Sequence, residues 1–403
     1  MNFYKPNFYS VVLDVLEKDI LRYLAPSFLF LFLGIIFLCM KKKPENIYMV
    51  CLLLANIVLI KILTPMGIID IAVLISYLTV FFFSIAVKNI YSKFNTLVFI
   101  SFLFFWLSYK YYPLETSNYT QSYLGSSLLI VGTSYLGFKL LHFYMDYRND
   151  NIPKKDILYF INWCLFFPSI LAGPMMRYQS WRSQIYGVRT TLGCVSSGLE
   201  RIIIGLFFKI VLANNLYYYT LGSMLAGMEI DEFSISLILS ALVYPVYLFF
   251  DFAGYTHIAI GAGLMLGLKL PENFLKPLLS RNLIQFWREW HITLSELLKD
   301  YLFVPISIFL ARNKIHGKAA KIVFPTLLTF AIAGIWHGSG LNFLIFGVLH
   351  GIGIIFLRFF DIQIARLKLP YVLSWCINYF YISLTFVFFD LKYMQILHIL
   401  KLI

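Results

Sequence analysis

Apolar runs of about twenty residues recur along the chain, separated by short polar clusters, and an ~30 Å bilayer core needs about that length per helix. Runs near 24–40, 46–64, 67–87, 96–112, 123–145, 194–215, 233–250, 322–338, 340–357 and 371–391 predict membrane-spanning helices. The run 157–173 is shorter and ends in Ala172-Gly173-Pro174, which predicts a broken or re-entrant helix. Such backbone is tolerated at membrane depth only where protein or a cavity covers it. Residues 256–312 alternate apolar and basic positions without a clean span. Within them, 283–303 reads as one amphipathic helix, with Trp287, His291, Leu294 and Leu298 on one face of a 3.6-residue period. The first nineteen residues carry acids and no small-residue cleavage site. They predict an interfacial helix rather than a secretory signal. The expected fold is an all-α polytopic membrane protein in one continuous domain over 1–403, with no internal repeat. It has about ten to eleven transmembrane helices plus re-entrant and amphipathic segments.

Charge orients these runs. Lys41-Lys42-Lys43, Lys88, Lys93, Arg148, Lys154 and Lys155 fall on one side, while 113–122 on the other side lacks Lys and Arg. By the positive-inside rule the basic side is cytoplasmic and the N-terminus outside. The formal charge of +13 is spread over these short clusters, which argues against a nucleic-acid surface. Composition agrees with lipid, at 60% hydrophobic and 13% charged residues, against about 25% charged in a soluble domain. The cysteines Cys39, Cys51, Cys164, Cys194 and Cys376 lie in or beside apolar stretches without a CxxC pair, and read as small buried hydrophobes.

Ionisable groups at membrane depth mark chemistry or transport. His337, in GIWHG, ends a run that begins on the cytoplasmic side, with Gly334 and Gly338 expected to leave space around its ring. A general base must be reachable by substrate. His291, in FWREWH, falls on the apolar face of its helix among aromatics, where a hydrogen-bonded core histidine is an equal reading. His350 reads as a packing or hydrogen-bonding partner, and His142, His257, His316 and His398 have no comparable context. A zinc site is not expected, since no carboxylate or cysteine motif accompanies the two histidines. No nucleophile elbow or P-loop is present. Proton relay through the histidines and Asp251 would suit a transporter, but paired broken helices of inverted repeats are absent.

Four stretches together resemble the bacterial membrane-bound O-acyltransferases. They are FFPSILAGPMMRY (166–178), GLFFKIVLANNL (205–216), the block from YLFFDFAGY to KDYLFVPIS (247–307), and the run beginning AIAGIWHG. The similarity covers roughly 125–390, in order and at plausible spacing. It implies a ring of tilted helices around a central funnel, with an acyl thioester donor, acetyl-CoA or an acyl carrier protein, arriving from the cytoplasm. No bound cofactor is implied. It further implies that His337 is the general base and His291 its supporting partner. Trp336, Trp290, Trp287, Asp251, Tyr255 and Asn342 are substrate-binding or supporting candidates, with Asp251 more a brace between helices than a reactant. The segment 294–312 would dock a donor carrier.

Two branches of the family compete. YLFFDFAGY and the length resemble the type that D-alanylates teichoic acid, whereas LPENF, FWREWHITLS and KDYLFVPIS lean toward polysaccharide O-acetylation. Ser307-Ile308 and His257 depart from the second type, and Glu296 to Asp300 from the first. O-acetylation of an exported glycan in the plasma membrane is the favoured expectation, with a possible second transferase outside. An envelope-glycan transporter or a non-catalytic export scaffold are the readings from other classes.

Overall fold

The computed structural model describes Leu33 and residues 45–63, 68–86, 125–149, 151–152, 156–185, 190–220, 235–313, 317–338, 340–366 and 369–390. The expected interfacial helix, the spans 24–40 and 96–112, Cys39, His316 and His398 lie outside these residues, as do the loop 113–122 and every basic position used for orientation except Arg148. Every regular element among the described residues is helical. The chain divides into two compact units, one of 1–106, 115–213 and 251–271, the other of 107–114, 214–250 and 272–403.

The first unit holds α1 (Glu45–Leu63), α2 (Ile68–Ala86), α3 (Gly125–Arg148), α4 (Ile157–Leu165), the single turn α5 (Phe167–Ile170), α6 (Tyr178–Ile185) and α7 (Leu192–Leu206). Its core is aromatic, with Phe143, Phe160, Trp163 and Tyr178 in mutual contact at centroid separations of 4.5–6.3 Å. The expected break in 157–173 falls between α4 and α5, and its cause is local. Pro168 has no amide to donate to Cys164 O, four residues back. Buried Lys139 serves that end instead, donating to Trp163 O (2.9 Å), Cys164 O (3.4 Å) and Ser169 Oγ (3.2 Å). The Phe167 amide turns to Asn56 Oδ1 (3.0 Å). The carbonyls left open at the end of α4 are thus satisfied by Lys139 of α3, and the first amide of α5 by Asn56 of α1.

The helix α8 (Ile235–Met265) runs on well past residue 250, where the apolar pattern suggested an end. Polar residues that interrupt the pattern are paired within the first unit: Asp251 with Lys209, and His257 Nδ1 with Arg201 (3.0 Å). Polarity alone therefore did not mark a boundary. The helix ends at Gly267, whose φ of 78° lets Leu268 N return to Gly263 O at 2.8 Å.

The second unit continues with α9 (Leu283–Glu289), α10 (Ile292–Leu298), α11 (Val304–Arg312), α12 (Lys318–His337), α13 (Leu341–Arg366) and α14 (Tyr371–Asp390). The expected single helix over 283–303 is broken, because His291 adopts a left-handed backbone (φ 44°, ψ 52°) between α9 and α10, and 299–303 forms a π-helical turn. Among the described residues three helices, Ile238–Met265, Leu341–Phe360 and Tyr371–Asp390, are long and apolar enough to cross a bilayer. On α14 the polarity is inverted relative to a soluble helix: Val372, Ile377, Phe380 and Leu384 are exposed, while Asn378, Ser383 and Thr385 are buried. An outward apolar face with inward polar groups is what lipid as solvent selects. Cys376 shares that exposed face, a departure from its expected burial.

Candidate active site

His337 is the last residue of α12. Its ring lies 4.7 Å from Trp336, 5.0 Å from Phe389 and 6.1 Å from Phe346 by centroid, and it is half-buried. Gly334 and Gly338 do not leave the open space expected of them. A Cβ on Gly334 would stand 2.3 Å from Phe343 O, and one on Gly338 2.1 Å from the Phe343 ring. Their small size serves the close approach of α12 to α13, and that approach fixes the C-terminal end of α12, where His337 sits.

His291 comes to the same place from another direction. The break between α9 and α10 turns it inward, 2% exposed, with its ring 6.4 Å from that of Trp336. Trp336 is thus the shared neighbour of both imidazoles. His291 lies outside the spanning helices, and burial, with the charge of His337 as the lesser cause, holds its pKa well below the ordinary imidazole value. It is neutral at physiological pH and can act as a donor or acceptor, but not as a standing cation.

The other candidates of the second unit brace this centre. Trp287 Nε1 donates to His350 Nδ1 at 3.2 Å, so the His350 proton resides on Nε2, which donates to Thr385 Oγ1 at 2.9 Å. Thr385 in turn donates to Ile382 O at 2.8 Å. The expectation that His350 is a hydrogen-bonding partner gains its content here: one neutral ring joins α9, α13 and α14. Its own ring is 4.5 Å from Phe346, which also touches His337. Trp290 stacks on Phe286 at 5.3 Å and meets Phe274 edge-on at 5.1 Å. Asn342 donates to Phe388 O at 3.0 Å, tying the start of α13 to the end of α14.

Asp251 and Tyr255 belong to the first unit. Asp251 accepts from Lys209, and the Tyr255 hydroxyl donates to Pro168 O at 3.5 Å. Among the described residues no three His, Cys, Asp or Glu side chains gather as a metal site would need. Reading the chain by motif passed over Asn273 and Thr293, which hold the turn at His291. The available signal was the Asn273 amide of LPENF, set between Glu272 and Phe274 shortly before the histidine motif. Overall, the site joins a reachable imidazole at a helix end to a buried neutral one, within an aromatic wall. That arrangement can take a proton from a hydroxyl and stabilise charge developing beside it.

The profile of the membrane-bound O-acyltransferase (MBOAT) family matches residues 85–399. The chain is 33% identical over 225 residues, 52% of its length, to a teichoic acid D-alanyltransferase of Bacillus subtilis, covering 53% of that protein. It is 34% identical over 221 residues, 53% of its length, to a probable alginate O-acetylase of Pseudomonas syringae, covering 40% of it. It is 32% identical over 252 residues, 60% of its length, to a peptidoglycan O-acetyltransferase of Helicobacter pylori, covering 46% of it. The chain therefore spans about half the length of these relatives.

Proposed function

The chain belongs to the membrane-bound O-acyltransferase family, and from that premise we propose that it transfers an acyl group from a cytoplasmic thioester donor to a hydroxyl of an exported polysaccharide or cell-envelope polymer. The observation that carries this reading is the meeting of His337 and His291 at one tryptophan, Trp336. Membership makes the chain an integral membrane protein, in keeping with the apolar helices and the inverted polarity of α14.

In the proposed reaction His337 takes the proton of the acceptor hydroxyl as its oxygen attacks the thioester carbonyl. The neutral His291 donates a hydrogen bond as negative charge builds on the reacting centre. The tetrahedral intermediate then collapses, the carbon–sulfur bond breaks, and the thiolate recovers the proton from His337. Atoms and charge balance without a cofactor as reactant. Acetyl-CoA or an acyl carrier protein serves as the donor. The whole chain acts as one acyltransferase domain of about ten to eleven spans around a central funnel, in the plasma membrane, with the N-terminus outside. A second, exoplasmic transferase can complete delivery to the final acceptor.

Acetyl is the favoured group, since two of the three named relatives are O-acetylating proteins. D-alanyl transfer to teichoic acid or a similar acceptor is the second reading, favoured by the 33% identity to a D-alanyltransferase. Mild-base release of esters from envelope glycans, compared between wild type and a strain lacking the chain, discriminates the two. Loss of acetate supports the first reading and loss of D-alanine the second. An unchanged ester inventory would contradict both and leave transport or scaffolding.

A further inference from the structure

Asn273 is wholly buried beside the turn that carries His291. Its backbone carbonyl accepts from Ile292 N at 2.9 Å. Its side-chain Oδ1 accepts from the Thr293 hydroxyl at 2.6 Å and from the Thr293 amide at 3.4 Å. One residue thus grips both residues that follow His291. In a continuous helix Ile292 N would donate to Arg288 O, four residues back. Bonding to Asn273 instead frees the chain to turn at His291, which is the only non-glycine residue with positive φ among the described residues.

Flanking bonds stiffen the same turn. Leu275 N donates to Glu289 O at 3.1 Å, and Ser295 Oγ donates to Trp290 O at 3.2 Å. The other end of the Asn273 amide, Nδ2, is buried with no hydrogen-bond partner among the described residues. Buried amides ordinarily use both ends. The carbonyl end of the Asn273 amide holds Thr293, two residues past a strained backbone. Strained backbone of this kind persists only where the surroundings over-determine it, and such positions cluster at active sites.

We propose that Asn273, acting with Thr293, is a positioning residue for acyl transfer: the pair fixes the left-handed backbone of His291 and so holds its imidazole against Trp336. This rests on the reading of His291 and His337 as the active pair. Asn273 reaches the chemistry only through His291.

The test uses the full chain in everted membrane vesicles. Radiolabelled acetyl-CoA is the donor, or D-alanyl-charged carrier protein where ester analysis names D-alanine, and donor concentration is varied. Asn273→Ala and Thr293→Val should each lower kcat by about 10- to 100-fold, the scale set by misplacing a catalytic group by about 1 Å. KM for the donor should stay within about twofold, since the donor's own contacts are untouched. Thr293→Ser, which keeps the hydroxyl, should recover most of the loss. The double variant should be little worse than Asn273→Ala alone, because that variant already removes the bond from the Thr293 hydroxyl. Thr293→Val preserves side-chain shape, so it answers the question if Asn273→Ala fails to fold. Near-wild-type kcat in the two single variants beside an inactive His291→Ala would overturn the clamp. So would strictly additive losses, or a change confined to KM. A fully active His291→Ala would instead place the failure in the reading of the site.

Discussion

His337 and His291 differ in the property that matters most for an imidazole, which is access to water and substrate. The first is half-buried at a helix end, and the second is enclosed, with its pKa held well below the ordinary value by burial. As pH falls through the usual imidazole range near 6.5, His291 stays deprotonated, so its titration cannot shape the acid side of the rate profile. His291→Asn, whose amide tolerates the left-handed backbone, is therefore expected to lower the transfer rate while leaving the position of the acid limb unchanged. Rates measured from about pH 5 to 8 check this, and disappearance of the limb in the variant would show that His291 titrates after all. Both histidines stand out in the sequence, as ionisable side chains among tryptophans in an apolar chain, and their rings come to one tryptophan, Trp336. Asn273 and the tautomer of His350 were not legible there, because each takes its role from partners far along the chain: Thr293 for the one, Trp287 and Thr385 for the other.

Helix boundaries in long apolar runs follow from composition and were legible to within a few residues, as for α1, α2 and α14. Where polar residues enter, pairing decides instead. Helix α8 continues through Asp251 and His257 because Lys209 and Arg201 meet them, whereas the regular stripe of 283–303 breaks because the Ile292 amide has a better acceptor outside the helix. The contact of α12 with α13 carries the sharpest prediction at this scale. Gly334→Ala would press a methyl group to within 2.3 Å of Phe343 O, and backbone cannot swing aside. Gly351→Ala, also between these helices, would come no nearer than 3.2 Å, to the end of the Leu327 side chain, with Phe330 Cβ at 3.4 Å. The first is expected to reduce transfer by about 10-fold or more, through displacement of His337. The second should remain within about twofold of wild type on the same scale. Equal activities would separate helix spacing from function. In the first unit, Lys139→Met is expected to destabilise the protein by about 2–3 kcal/mol, because buried carbonyls lose a charged donor. Thermal unfolding in detergent measures it, and an unchanged midpoint would refute the role of Lys139 as a cap for the broken helix.

Across the described residues of the molecule, apolar side chains fill aromatic cores and also stand exposed on helix faces, and polar side chains are buried among the former. Buried histidines, threonines and asparagines are then available to chemistry sheltered from lipid. The chain belongs to the membrane-bound O-acyltransferases, and the proposed acyl transfer depends on the imidazole of His337. The most direct measurement is the amount of base-labile ester on envelope glycans in a deletion strain that expresses either the wild-type chain or His337→Ala at equal membrane levels. Wild type is expected to restore the ester and His337→Ala to restore none detectable, since loss of a general base lowers the rate by about 10²- to 10⁴-fold. Full restoration by His337→Ala would contradict that dependence and assign the chain a role that does not run through its histidine.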